Sequence, residues 1–313
     1  MFLDFDTVSA GDLDTGALRR AADDLVLHDM DEPSTADRIR DADVVALNAA
    51  RLSRELLFGT SRLKLVALAA TGTDNVDLIA ARERGIAVCH VRAYCTASVV
   101  QQVWGLILSL TQHVDDYSRL VRSGYWTSDD LATVLTLPIR ELQGRIFGVV
   151  GWGDLGRGAA RVAEAFGMRV LVANRRGESA QPGRMELTQL LCIADILSLH
   201  CPLNDSTRGL IGARELALMK PDALLINTAR GALIDGQALS IALKAGRLGG
   251  AGIDVLPQEP PLHGDPLLDP DIPNLLLTPH IAWAAREARQ RCIDELAANI
   301  QDFRSGGRRG RVV

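Results

Sequence analysis

Residues 148–156 read GVVGWGDLG, and RGAARVAEAFG follows with the spacing of an amphipathic helix. An apolar run, three glycines at 151, 153 and 156, and a helix leave little choice of local structure. Gly151 permits a tight turn, Gly153 lets the backbone approach a pyrophosphate, and Gly156 lets the helix lie close to its strand. The glycine spacing alone is common. The strand before it and the helix after it are the context that gives it meaning. The start of such a helix presents unpaired N–H groups and positive potential, which suits the phosphates of a dinucleotide. Asp154 and Leu155 open that helix and belong to the same expected cradle.

The rest of the chain supplies a sheet for this turn. Apolar runs after residue 145 read IFGVVG (146–151), MRVLVAN (168–174), ILSLH (196–200), ALLINT (223–228), GAGIDV (250–255) and LLLTPH (275–280). Six strands separated by helical patterns match a complete dinucleotide-binding sheet. Before it, VVALN (44–48), LKLVALA (63–69) and IAVCHV (86–91) repeat the rhythm on a smaller scale. Continuous apolar strands alternating with helices indicate parallel sheets covered on both faces. A helical pattern from Ser98 to about Ser123 reads as a spacer between two lobes, and YWTSDDLATVLTLP (125–138) as a surface loop. A last helix, about Ala284 to Arg304, would return to the first lobe. The expected fold is therefore α/β, with two Rossmann-like lobes, each a parallel sheet with helices on both faces, and a cleft between them. Residues 1–97 and 285–313 would form a discontinuous substrate domain and 98–284 the dinucleotide-binding domain.

Composition narrows the partners. With 313 residues and a net charge of −5, the chain offers no general attraction to nucleic acid or anionic lipid. No apolar run has the length of a membrane span, and the start, MFLDFDTVSAGDLD, is acidic, unlike a signal peptide. Five cysteines, an odd number without a C-x-x-C pair, read as reduced thiols in cytoplasm, with no disulfide frame and no metal site. The cluster RRGR (308–311), in a glycine-rich end, reads as a frayed, solvated tail.

The strand after the glycine turn ends LVANRRG (171–177). An acid at this position would accept bonds from the adenosine ribose hydroxyls of NAD and repel a 2′-phosphate. Asn174 removes that repulsion, and Arg175 and Arg176 offer guanidinium groups to a dianion. NADP(H) is expected in preference to NAD(H), which stands as the alternative.

Three further strands end in polar residues. Arg230 follows INTA, Asp254 ends GAGI with Glu259 five residues on, and His280 ends LLLTP. In an open α/β sheet, ligands sit outside the carboxyl ends of the strands. Arg230 suits a carboxylate and a keto oxygen, through its planar fork. His280 suits proton transfer to that oxygen, and Glu259 suits holding the imidazole. Asp254 reads equally well as steadying the nicotinamide side or capping a loop.

With ATGTDNVD (70–77), SLHCPLNDSTRGLI (198–211), MKPDALLINTARGALID (219–235), GAGIDVLPQEPP (250–261) and TPHIAW (278–283) added, the chain resembles the D-isomer-specific 2-hydroxyacid dehydrogenases. Within them it is most similar to the glycerate dehydrogenase, or hydroxypyruvate reductase, group. The resemblance implies reduction of a small 2-keto acid to the D-2-hydroxy acid, with Arg230, Glu259 and His280 as the catalytic set. It also implies substrate carboxylate binding by backbone amides near Gly72 and Thr73. Trp283 would wall the pocket or pack the lobe interface. The expected cofactor shell further takes in Thr96, Cys201, Pro202 and Thr207, and then Thr228 and Ala229. Gln102 stands where many relatives have His. The family is usually dimeric, and Trp126 with LATVLTLP would suit that contact. A cofactor-sensing binding module on the same fold is one alternative. A formate-type dehydrogenase is the other, for which a Gln rather than Glu259 would pair with the His.

Overall fold

The computed structural model describes residues 1–30, 34–127, 133–175 and 181–313. They divide into two compact units, residues 1–95 with 283–313, and residues 96–282. Among the described residues no helix is long and apolar enough to cross a membrane.

The first unit holds a parallel sheet ordered β1 (Val44–Leu47), β2 (Leu65–Leu68), β3 (Ala87–His90). Its central strand, LVAL, is buried throughout because both faces are covered. The helix Arg286–Arg304 buries Ala288, Cys292, Ile293, Leu296, Ala297 and Ile300, one face at helical spacing, in the core that holds Leu65, Ala67 and Cys89. Phe2 bridges both Leu27 and Ala46, so the acidic N-terminus threads into the core. The basic C-terminal tail is not frayed. Val312 N–H donates to Val88 O at 2.8 Å, His90 N–H to Gly310 O at 2.9 Å, and Arg309 pairs with Glu295. Strand β3 lies at a sheet edge with backbone groups to satisfy, and the tail supplies them.

The second unit holds a seven-stranded, wholly parallel sheet. Its strands are β4 (Ile146–Val150), β5 (Arg169–Ala173), β6 (Arg184–Met185), β7 (Ile196–Leu199), β8 (Leu224–Asn227), β9 (Gly250–Ile253) and β10 (Leu275–Leu277). The order is β10-β9-β8-β7-β4-β5-β6, reversing direction at β4, where the glycine turn lies. Six of these match the apolar runs of the sequence, and β6, two residues long, adds a seventh at the edge.

The long helical pattern is two helices, Thr96–Gln112 and Val114–Arg122, because His113 takes a left-handed φ of 52°. The first is no spacer. It covers the sheet of the second unit, close enough that a Cβ on Gly252 would lie 2.9 Å from Leu106 Cβ. It also packs on the helix Asp154–Ala165, where Trp104 stacks on Phe147 and Phe166 with centroids 5.6 and 5.0 Å away.

Candidate active site

The glycine turn is forced by sterics at two of its three positions. Gly151 has φ +103°, and a Cβ there would fall 2.5 Å from the His200 carbonyl carbon. A Cβ on Gly156 would fall 2.1 Å from Gly151 O. Above Gly153 a Cβ meets nothing within 4 Å, so the backbone there is open to a ligand. Asp154, the first helical residue, is paired with Arg157 at 2.6 Å, which offsets its charge beside the helix start. Leu155 is half-buried. Further along the same strand ends, Thr207 Oγ1 donates to Pro202 O at 2.8 Å and closes a compact turn. Cys201 is half-buried, and burial pushes its thiol up to about 11, so it stays protonated near neutrality. Thr228 carries a buried hydroxyl with no hydrogen-bond partner among the described residues. Next to it, Ala229 N–H donates to Asn227 Oδ1 at 3.0 Å. An open approach at Gly153 and an orphaned hydroxyl at Thr228, both at the carboxyl edge of the sheet, fit a polar dinucleotide.

His200 sits directly under this turn. One ring nitrogen meets Ser198 Oγ at 2.9 Å, the other is buried without a partner, and burial pushes the imidazole down to about 4. The folded state therefore binds fewer protons than the unfolded chain between about 4 and about 6.5. The neutral ring's contribution is fully present above the unfolded value and is lost as pH falls through the folded one. The urea midpoint should fall on acidification across that window, and His200→Gln should flatten the fall.

Arg230, Glu259 and His280, the expected catalytic set, lie in the same unit. His280 Nδ1 lies 2.5 Å from Glu259 Oε2, and Glu259 Oε1 accepts the Leu256 N–H at 2.8 Å. Burial alone would raise the Glu259 carboxyl. The hydrogen bond and charge of His280, the Leu256 N–H and the Arg230 guanidinium outweigh it and hold the group below its ordinary value. Arg230 is thus close enough to be felt electrostatically, and its Nη1 donates to Ala229 O at 2.8 Å. His280 itself has a left-handed φ of 54°. Such a conformation needs a surrounding that fixes it, and Asp254 provides one. Fully buried at the end of β9, it accepts from Thr278 Oγ1 (2.5 Å), Ile281 N (3.0 Å) and Ala282 N (2.8 Å), while its own carbonyl accepts from His280 N at 2.7 Å. These contacts hold the loop that carries His280. Gln102 donates to Thr278 Oγ1 at 3.3 Å and Ser98 Oγ to Ala282 O at 2.6 Å, so the first helix braces the same loop.

A family model for "D-isomer specific 2-hydroxyacid dehydrogenase, NAD binding domain" matches residues 104–282. A glycerate dehydrogenase of Methylorubrum extorquens is 42% identical over 270 residues, covering 86% of this chain and 85% of its own. A hydroxypyruvate reductase of Blautia hydrogenotrophica is 35% identical, covering 97% and 96%. A Thermus thermophilus protein of solved structure superposes with a TM-score of 0.85 at 35% identity, covering 95% and 96%. The chain belongs to the D-isomer-specific 2-hydroxyacid dehydrogenases.

In this dehydrogenase Gly72 and Thr73 lie in the first unit, in a turn closed by the Val76 N–H to Thr73 O bond at 3.2 Å. The turn is pinned by Asn75, whose Nδ2 donates to Asn48 O and Ala50 O at 2.9 Å each. Asp4, buried and unremarked in the sequence, accepts the backbone N–H groups of Asn48, Ala49 and Ala50 and so fixes that loop in turn. Trp283 packs, half-buried, against the core of the first unit. At the end of β5, Asn174 is buried and Arg175 exposed, while Arg176 lies outside the described residues. Sequence reasoning also missed Gly231. A Cβ there would lie 2.0 Å from the Leu256 carbonyl carbon, so only glycine lets the segment after Arg230 touch the one leading to Glu259.

Proposed function

We propose that the chain reduces a small 2-keto acid of the hydroxypyruvate or glyoxylate type to the D-2-hydroxy acid, with NADP(H) preferred over NAD(H). The observation that carries this reading is the His280–Glu259 hydrogen bond with Arg230 beside it. When bound, the nicotinamide cofactor supplies the hydride. Arg230 binds the substrate carboxylate and polarises its keto oxygen. His280, its Nδ1 committed to Glu259, gives a proton from Nε2 to that oxygen in reduction and takes it back in oxidation. Glu259 fixes the tautomer and the orientation of the ring. Gly151, Gly153 and Gly156 cradle the pyrophosphate, with Thr228 as a polar contact. Backbone amides near Gly72 and Thr73 are assigned to the substrate carboxylate.

The preference for NADP(H) rests on an uncharged Asn174 and on Arg175, which is exposed at the end of the same strand. Arg175→Ala should raise KM for NADPH by about 10- to 150-fold, the worth of one charge-assisted hydrogen bond, with KM for NADH little changed. Loss of nicotinamide absorbance with hydroxypyruvate and glyoxylate, followed against each cofactor, tests both the reaction and the preference. No oxidation of NADPH or NADH with either acid would sink the reading. We further propose a homodimer, supported by the exposed apolar residues Val114, Val121, Trp126 and Leu135. Five free thiols suit a reducing compartment, and the cytoplasm is proposed as its location.

A further inference from the structure

An acid is missing from the end of β5, where Asn174 stands, but it is not missing from the place. Asn174 Nδ2 donates to Glu186 Oε1 at 2.9 Å, and Asn174 Oδ1 accepts the Gln181 N–H at 3.1 Å. The two partners fix the amide's orientation, because its NH₂ can only donate and its oxygen only accept. Asn174 N–H also donates to Met185 O at 2.7 Å, tying the end of β5 to the end of β6. Glu186 follows β6 directly, so its carboxylate is anchored at the carboxyl edge of the sheet, one strand over from the usual position.

Two features set Glu186 apart from an ordinary surface acid. It occupies the N-cap position of the helix Leu187–Ile193, yet its side chain makes no capping bond. Ser, Thr, Asp or Asn would cap there and Glu is not among the favoured types. The side chain reaches instead to a buried amide. Its second carboxylate oxygen has no hydrogen-bond partner among the described residues.

We propose that Glu186 is a specificity-determining residue for the cofactor. Through Asn174 it supplies, from the neighbouring edge strand, the carboxylate that accepts the adenosine ribose hydroxyls and opposes a 2′-phosphate. The inference rests on the reading that this sheet edge binds a dinucleotide, not on the preference for NADP(H). On this view Arg175 and Glu186 pull in opposite directions, and the chain's selectivity is the difference between them. Asn174 is then a positioning residue: it cannot repel a phosphate itself, but it holds the group that does.

The test is equilibrium binding, so no turnover is needed. Calorimetric Kd values are measured for 5′-AMP and for adenosine 2′,5′-bisphosphate with the full chain and with Glu186→Gln, which keeps shape and an acceptor but removes the charge. The ratio of the two affinities should move toward the bisphosphate by about tenfold or more, the scale of one charge-assisted bond. A ratio that stays fixed, or both affinities falling together, overturns the proposal. Asn174→Ala, which frees the carboxylate from its tether, should shift the ratio in the same direction, and covers the case in which Glu186→Gln does not fold. Failure of the Arg175 prediction would sink the NADP(H) preference and leave this ratio test standing. No bound adenylate in any variant would instead sink the shared premise, and this proposal with it.

Discussion

His280→Gln should lower kcat for hydroxypyruvate reduction by about 10²- to 10⁴-fold, the usual worth of a positioned acid–base group. Gln preserves size and can still donate a hydrogen bond, but it has no proton to transfer. The imidazole's Nδ1 faces Glu259 at 2.5 Å, so the proposed proton transfer would use Nε2. Cofactor affinity, read by nicotinamide fluorescence, should change little, because no predicted cofactor contact passes through this ring. A variant with kcat within about threefold of the parent would remove His280 from the role of proton donor. The pH dependence follows from Glu259. Its carboxyl is held below the ordinary value, so the carboxylate's contribution is fully present above about 4.3 and is lost only as pH falls through the depressed folded value. Loss of activity well above that window must have another source than protonation of Glu259.

What the sequence made legible follows from how each feature is determined. Strands β4, β7, β8 and β9 stand out because parallel strands buried on both faces are continuous apolar runs bounded by helical patterns. Strand β6 has two residues and no period to read. The break at His113 was hidden because apolar spacing carries on across it, from Leu110 to Val114 and Val121. The chain turns on one left-handed residue that is not glycine. The tail misread as solvated has a basic, glycine-rich composition, but its order comes from the exposed edge of β3, which composition cannot report. The same division holds at the site. Arg230 and His280 were visible as polar residues ending apolar runs, and Glu259 as the acid shortly after another. Glu186 was invisible because its significance depends on which strand lies beside β5. Asp254 was visible as a residue with two even readings, but its three partners on the loop after β10 were not, since they depend on which strand lies beside β9.

Gly231→Ala should destabilise the fold by about 1–3 kcal/mol through overpacking and cut kcat/KM by about 10²-fold through misplacement of the reacting groups. The reason is contact rather than backbone conformation. The added Cβ would lie 2.0 Å from Leu256 C, 2.3 Å from Pro257 N and 2.5 Å from Leu256 Cα. All three are main-chain atoms, so no rotamer change relieves the clash. Either the segment carrying Arg230 or the one leading to Glu259 must move. Leu256 N–H is the donor that holds Glu259 Oε1, so displacing it loosens the carboxylate that orients His280. One methyl group therefore acts on Arg230, Glu259 and His280, the three proposed reacting residues, at once. Gly236→Ala is the matched control, because a Cβ there finds nothing nearer than 3.6 Å, and its nearest atom belongs to the Asp265 side chain. Urea unfolding and steady-state kinetics on the pair decide the matter. If Gly231→Ala behaves like Gly236→Ala in both, close packing at Leu256 is not what holds the acid, the base and the guanidinium together.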